Sequence, residues 1–274
     1  VLQPHLSIEF FCATDTGRAR SNNEDSVTVD HANSLAVLAD GMGGYNAGEI
    51  ASGMATTFIQ RELGRWLEEV GDSATDPEVR RAMAICVDNA NRAIFNAANA
   101  NPQYAGMGTT VVAAWLVGPI LSIAHVGDSR LYLIRGNALQ LLTTDHSLVQ
   151  EQVQSGLLTA HDATRASYKH VLTRAVGVHP LVEVELGELP VLNGDMFLLC
   201  SDGLTAGVSA DTILRVVQES SDPQTVSDRL IALSNAAGGT DNTTVIVAML
   251  RHRKPGMWHR MCSQLFAAPT TESS

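Results

Sequence analysis

"SLAVLADGMGGYNAGEIAS", residues 34–52, runs from an apolar stretch through one carboxylate into a cluster of glycines, and then into a helix-like pattern. The unbroken apolar run from Leu35 to Ala39 suits a strand covered on both faces. On its own, Asp40-Gly41 reads as a turn, because Asp and Gly both favour the backbone angles that turns need. The alternative is a turn shaped to hold a cation, in which glycine lets the backbone approach closely and frees the Gly41 carbonyl as a ligand. The choice depends on whether other runs in the chain end the same way.

They do. "FLLCSDG" places Asp202 after a second apolar run and ahead of Gly203, and "SIAHVGDS" places Asp128 after a third. "GGTDNTTVIV" puts Asp241 just before a run, and "RSNNEDSVTV" puts Glu24 and Asp25 together at the head of another. Strand ends along one sheet edge cluster in space, so these segments bring acids together. Gathered carboxylates repel one another unless they are protonated or bridged by cations. A donor set of oxygens, with no His or Cys in it, selects hard ions such as Mg²⁺ or Mn²⁺ over Zn²⁺.

Around these runs, "LSIEFFCAT", "DSVTVDH", "GTTVVAAWLVG", "ILSIAHVGD", "RLYLIR", "ALQLLT", "DMFLLCSD" and "TTVIVAML" also read as strands. Gly136-Asn137 is a two-residue hairpin signal. Helical spacing appears over 47–70, where Ile50, Met54, Phe58, Trp66 and Leu67 recur and Ile59 and Leu63 widen the stripe. It appears again over 77–100, with Val79, Met83, Cys86, Val87, Ala90, Ile94 and Ala97 on one face. Shorter helices are expected over 148–155, 209–219 and 223–236, the last capped by Asp222 ahead of Pro223. Strands come in adjacent runs and helices in pairs, which favours an α+β sandwich of antiparallel sheets over a doubly wound parallel sheet.

The chain of 274 residues carries a net charge of −11 and is 45% hydrophobic, the balance of a globular domain without a nucleic-acid-binding surface. The four cysteines are far apart and form no CxxC pair, which fits reduced thiols in a cytoplasmic protein. No apolar stretch reaches the roughly 20 residues that span a bilayer, and the start shows no signal-peptide pattern. Residues 251–274 shift to a basic, then weakly apolar, then polar tail, read as a surface or loose end.

Taken in order, "RSNNEDS", "ADGMGG", "GMGTT", "VGDSR", "LTRAVG", "CSDGL" and "GTDNTTVIV" resemble the motifs of the metal-dependent protein serine/threonine phosphatases of type 2C, the PPM family, in its bacterial form. The resemblance covers about residues 14–250. It implies an α-β-β-α four-layer sandwich with two antiparallel sheets flanked by helix pairs, and a binuclear Mg²⁺ or Mn²⁺ centre at one end of it. By resemblance Asp40 bridges the two ions, the Gly41 carbonyl lies on one of them, and Asp202 and Asp241 hold the other. Glu24 acts mostly through a bound water with Asp25 in support, Arg20 binds the phosphate, and Asp128 holds a third ion. The resemblance also implies a catalytic domain over 1–250, a flap subdomain over about 147–175, phosphoprotein substrates, a serine/threonine kinase among the partners, and a monomer. Many family members carry a histidine after the Asp-Gly pair or a few residues later as a candidate general acid; here those places hold Met42 and Tyr45.

The chemistry implied is hydrolysis of phosphoserine and phosphothreonine by a hydroxide shared between two ions, with no phosphoenzyme. Arg20 suits phosphate because a guanidinium offers a planar fork of donors. "CVDNANR", residues 86–92, has the Cys-x5-Arg spacing of cysteine-dependent phosphatases, but it lies on a helical face without glycine, so Cys86 reads as core packing. His125 and His146 read as structural, and Ser201 lacks the setting of a hydrolase nucleophile. Two rivals stand beside the leading reading: a phosphatase-like binding module, which should have lost some of Asp40, Asp202 and Asp241, and a phosphohydrolase of small metabolites.

Overall fold

Alternation along the first core strand divides its side chains between two layers. In the computed structural model, which describes residues 6–44, 47–70, 74–220 and 222–252, β3 (Leu35–Met42) sends Leu35, Val37 and Ala39 to one face and Ala36 and Leu38 to the other. Both faces are buried, as the unbroken apolar run requires.

The same division recurs in β5 (Val111–Val117), β7 (Arg130–Arg135), β10 (Met196–Cys200) and β11 (Thr243–His252). With β1 (Leu6–Asp15), β2 (Asp25–Asp30), β4 (Gly108–Thr109), β6 (Ile120–Val126), β8 (Ala138–Leu141) and β9 (Glu185–Pro190), they form two sheets. One has the order β1-β11-β10-β7-β8, the other β2-β3-β5-β6-β9 with β4 paired to β3, and all the pairings are antiparallel. Helices α1 (Ala47–Val70) and α2 (Asp76–Ala100) cover the second sheet. Helices α5 (Asp202–Gly207), α6 (Ala210–Glu219) and α7 (Pro223–Ala236) cover the first. A third apolar layer built around Phe197, Leu199, Leu121 and Ile246 lies between the sheets. The result is the expected α-β-β-α sandwich. Asp222 caps α7 as read, accepting from Thr225 N–H at 3.0 Å, and Gly136-Asn137 joins β7 to β8 with Gly136 at φ +58°.

Several expectations are corrected. The α1 stripe is rotated: Ala51, Ala55, Ile59 and Leu63 are fully buried, whereas Ile50 is exposed and Met54, Phe58, Trp66 and Leu67 are only partly covered. Small side chains win this face because the start of α1 lies directly on the β3 backbone; a Cβ at Gly41 would fall 2.1 Å from the Gly48 carbonyl oxygen. The run "GTTVVAAWLVG" is two strands. Gly108 and Thr109 pair with Met42 and Gly41, and Thr110 leaves the ladder to bond Asp40. Strand β9 and helix α5 were not read from the sequence, and Asp202 opens that helix rather than ending a strand. Residues 253–274 of the tail, Cys262 and Tyr45 lie outside the described residues. Among the described residues no helix is long and apolar enough to cross a membrane, and Cys12, Cys86 and Cys200 are free thiols.

Candidate active site

The layer between the sheets is apolar along most of its length and turns to carboxylates at one end. Asp40 follows Leu38 on the inward face of β3, and Asp25 stands directly opposite it in the β2–β3 register, on the same face as Val27. Like charges in that relation repel. The neighbouring sheet supplies Asp25 with a donor: Ser201 Oγ reaches its Oδ2 at 2.8 Å and in turn accepts from Thr244 N–H at 3.0 Å. Ser201 is thus committed to fixing an acid. The other Asp25 oxygen is buried with no partner among the described residues.

Register also assembles the rest of the site. β1 and β11 pair from Leu6↔His252 to Asp15↔Thr243, which lays the 16–24 loop beside the 239–242 turn. Arg18 N–H donates to the Gly239 carbonyl at 2.7 Å. Asn242 locks the two segments together: its Oδ1 accepts from Glu24 N–H at 2.8 Å, and its Nδ2 donates to the carbonyls of Thr16 and Asn22. Arg20 then reaches Asp241 Oδ2 at 3.0 Å. On the far side, Thr110 Oγ1 accepts from Asp40 N–H at 2.9 Å and shares a hydrogen bond of 2.7 Å with Ser129 Oγ, tying Asp40 to the Asp128 turn.

These segments enclose a cleft of about 490 Å³ lined by Arg20, Glu24, Asp40, Gly41, Asp128, Asp202 and Asp241, together with His170 and Leu172. Every site residue read from the sequence lines it except Asp25, which stands behind Asp40. Burial, and then repulsion from the other acids, raises Asp40 well above the carboxylate range. The same causes push Asp25 up to about 6 and Asp128 up to about 7, and burial raises Glu24. Acids so placed must hold protons or share cations. The donors are all oxygens, one buried oxygen is unpartnered, and the Gly41 backbone is kept bare by its contact with α1, so the residues fit hard divalent cations.

The sequence reading passed over His170. It stands at the cleft with Nδ1 3.6 Å from Asp202 Oδ2, and its interaction with that acid raises its pKa. It sits in the segment carrying α3 (Leu148–Gln154) and α4 (Ala160–Ala163), whose ends meet at a bridge between Ser147 and Leu172. A second cavity of about 550 Å³ runs from Asp128, His170 and Asp202 between this segment and α5. Cys86 lies in the core of α2 with its thiol pushed up to about 11 by burial, so it makes no thiolate.

The protein phosphatase 2C family model matches residues 15–251. The serine/threonine phosphatase Stp of Listeria monocytogenes is 36% identical over 237 residues, which are 85% of this chain and 92% of that protein. The crystal structure of the serine/threonine phosphatase PstP/Ppp of Mycobacterium tuberculosis matches with a TM-score of 0.82 at 36% identity, covering 89% of this chain and 99% of the other. A PstP catalytic domain solved in complex with two manganese ions matches at a TM-score of 0.76 and 36% identity, covering 90% and 99%. Matched across nearly its whole described length, the chain belongs to the protein phosphatase 2C family.

Proposed function

We propose that the protein removes phosphate from phosphoserine and phosphothreonine in phosphoproteins, using two Mn²⁺ or Mg²⁺ ions held in the acidic cleft and a third at Asp128. The observation that carries this is the convergence of Asp40, Asp128, Asp202, Asp241 and Glu24 with Arg20 on one cleft. Asp40, the Gly41 carbonyl, Asp202 and Asp241, which line the cleft, would hold the two ions. Glu24 would act mostly through a bound water, with Asp25 in support. When bound, the ions supply positive charge against the phosphoryl oxygens and acidify water, so that a nucleophile forms near neutral pH.

The chain's own groups do the rest. Arg20, held by Asp241, offers its remaining N–H donors to phosphate oxygens and fixes the ester for in-line attack. Met42 cannot supply a proton to the departing seryl or threonyl oxygen; the His170 imidazole at the cleft can. The flap over 147–175 walls the adjoining cavity and would select among substrates. Asp40, Asp202 and Asp241, of which a binding module should have lost one or more, all line the cleft. We place the protein in the cytoplasm as a monomer, with a catalytic domain over 1–250, a tail over 251–274, and a serine/threonine kinase and its targets as partners.

The test is phosphate release from a phosphothreonine peptide. The reading predicts release that depends on Mn²⁺ or Mg²⁺, stops with chelator and is lost in Asp202→Ala. Turnover that survives both conditions contradicts it, and faster turnover of small phosphometabolites than of phosphopeptides favours the metabolite rival.

A further inference from the structure

Gly127 turns the chain out of β6 into Asp128 with φ +108°, and a Cβ there would meet the Thr110 side chain at 2.6 Å. Both of its backbone polar groups end on one residue. Gly127 N–H donates to His146 Nδ1 at 3.1 Å, and the Gly127 carbonyl accepts from His146 N–H at 2.8 Å. The His146 carbonyl accepts from Thr173 N–H at 2.9 Å, and Ser147, the next residue, bridges to Leu172. Both ends of the flap therefore close on His146. Its buried ring has Nε2 3.1 Å from Glu185 Oε2 on β9. His125, opposite Glu185 in the β6–β9 register, packs its ring 4.6 Å from that of His146.

We infer that His146 is a positioning residue of the phosphatase site: by holding both polar groups of Gly127 it sets Asp128 at the cleft and anchors the base of the flap. The consequence for metal binding rests on Asp128 being a ligand, as proposed above. The ligand atoms of His125, His146 and Glu185 lie within 4.8 Å of one another, which invites a metal reading. The hydrogen bond from Gly127 decides against it. An accepting Nδ1 places the proton of the neutral ring on Nε2, where Glu185 accepts it, and that nitrogen then has no lone pair for a cation. His146 and Glu185 form a hydrogen-bonded post, and the His125 ring packs against it.

Asparagine puts an amide oxygen where Nδ1 stands, whereas glutamine puts its amide near Nε2. His146→Asn thus keeps the Gly127 bond and loses Glu185, and His146→Gln does the reverse. The readouts are native-state hydrogen exchange of the Gly127 amide and the Mn²⁺ concentration giving half-maximal phosphatase activity, both in the full chain. Losing the Gly127 bond speeds the exchange about fivefold to tenfold in His146→Gln and raises the Mn²⁺ midpoint severalfold, while His146→Asn, which loses only Glu185, changes both about twofold, as Glu185→Ala does. Glu185 is 42% exposed on an edge strand, so Glu185→Ala folds even if the histidine variants do not; it speeds Gly127 exchange by a smaller factor. Equal or better rescue by glutamine, unchanged Gly127 exchange in Glu185→Ala, or Zn²⁺ binding that is lost on replacing His125 or His146 overturns the inference. Faster Gly127 exchange in His146→Gln with the Mn²⁺ midpoint of wild type upholds the clamp and removes the assignment of Asp128 as a ligand; no Mn²⁺ response in wild type removes the proposed function and leaves the clamp to be judged by exchange alone.

Discussion

Arg20 Nη2 lies 3.0 Å from Asp241 Oδ2 at the rim of the cleft, with the Arg20 side chain half exposed. The pair joins the group proposed to bind phosphate to an acid proposed to hold metal, and Asn242 braces both of their loops. Arg20 is therefore poised by its partner and still has donors free for a ligand. Arg20→Ala should lower kcat/KM for a phosphopeptide about 10- to 100-fold, mostly through KM, the loss expected for charge-assisted hydrogen bonds. Arg20→Lys should recover only part of this, because an ammonium lacks the planar fork. Full activity in Arg20→Ala, by steady-state kinetics, contradicts the role.

His170 is expected to act on the leaving oxygen. His170→Gln should reduce kcat for phosphothreonine peptide about 10- to 100-fold, within the range for general acids. It should change turnover of p-nitrophenyl phosphate much less, because nitrophenolate leaves without a proton. Equal losses on both substrates would assign His170 to binding instead.

Glycine is required where backbones touch and replaceable where they do not. An added Cβ at Gly41 meets the carbonyl oxygens of Gly48 and Glu24 at 2.1 and 2.6 Å, both backbone atoms that cannot swing aside. Gly41→Ala should cost roughly 1–3 kcal/mol or more and weaken Mn²⁺ activation. Gly53, on α1 with open space around it, is the control: Gly53→Ala should stabilise by about 0.5–1 kcal/mol through helix propensity. Thermal melts of both variants check the pair, and similar shifts in the two contradict the packing argument.

Stability without metal should depend on pH in a defined direction. Asp25 and Asp128 rise from 3.8 to about 6 and about 7 on folding, chiefly through burial and then through neighbouring acids. Folding therefore tightens proton binding. The associated stability is complete below about pH 4 and is lost as pH rises through the folded values. Chelator-treated protein should melt several degrees lower at about pH 8 than at about pH 5.5. Mn²⁺ should raise the melting temperature more at the higher pH, where the acids are ionised. Equal melting points, or an equal gain from Mn²⁺ at both pH values, contradict the picture.

Much of this was legible before folding because buried strands leave long apolar runs, and acids beside glycine at their ends stand out against them. β3, β5, β10 and β11 were read in that way. β9 was not, since its residues "ELGELP" are half exposed and carry no apolar period. α5, "DGLTAG", is too short and too rich in glycine to show helical spacing. The face of α1 was misread because size, rather than hydrophobicity alone, decides which side can lie against a bare backbone. His125 and His146 were read as structural, and their buried rings agree. His170 was missed because a lone histidine in a loop acquires meaning only once the chain carries it to Asp202.

Residues distant in sequence are proposed to hold paired divalent cations at the end of the sandwich. Anomalous scattering from crystals soaked in Mn²⁺ tests this most directly. The account predicts two strong peaks flanking Asp40, one of them also touching Asp202 and Asp241, with a weaker peak at Asp128. A map with no peak in the cleft, or with its strongest peak between His125, His146 and Glu185, would contradict it.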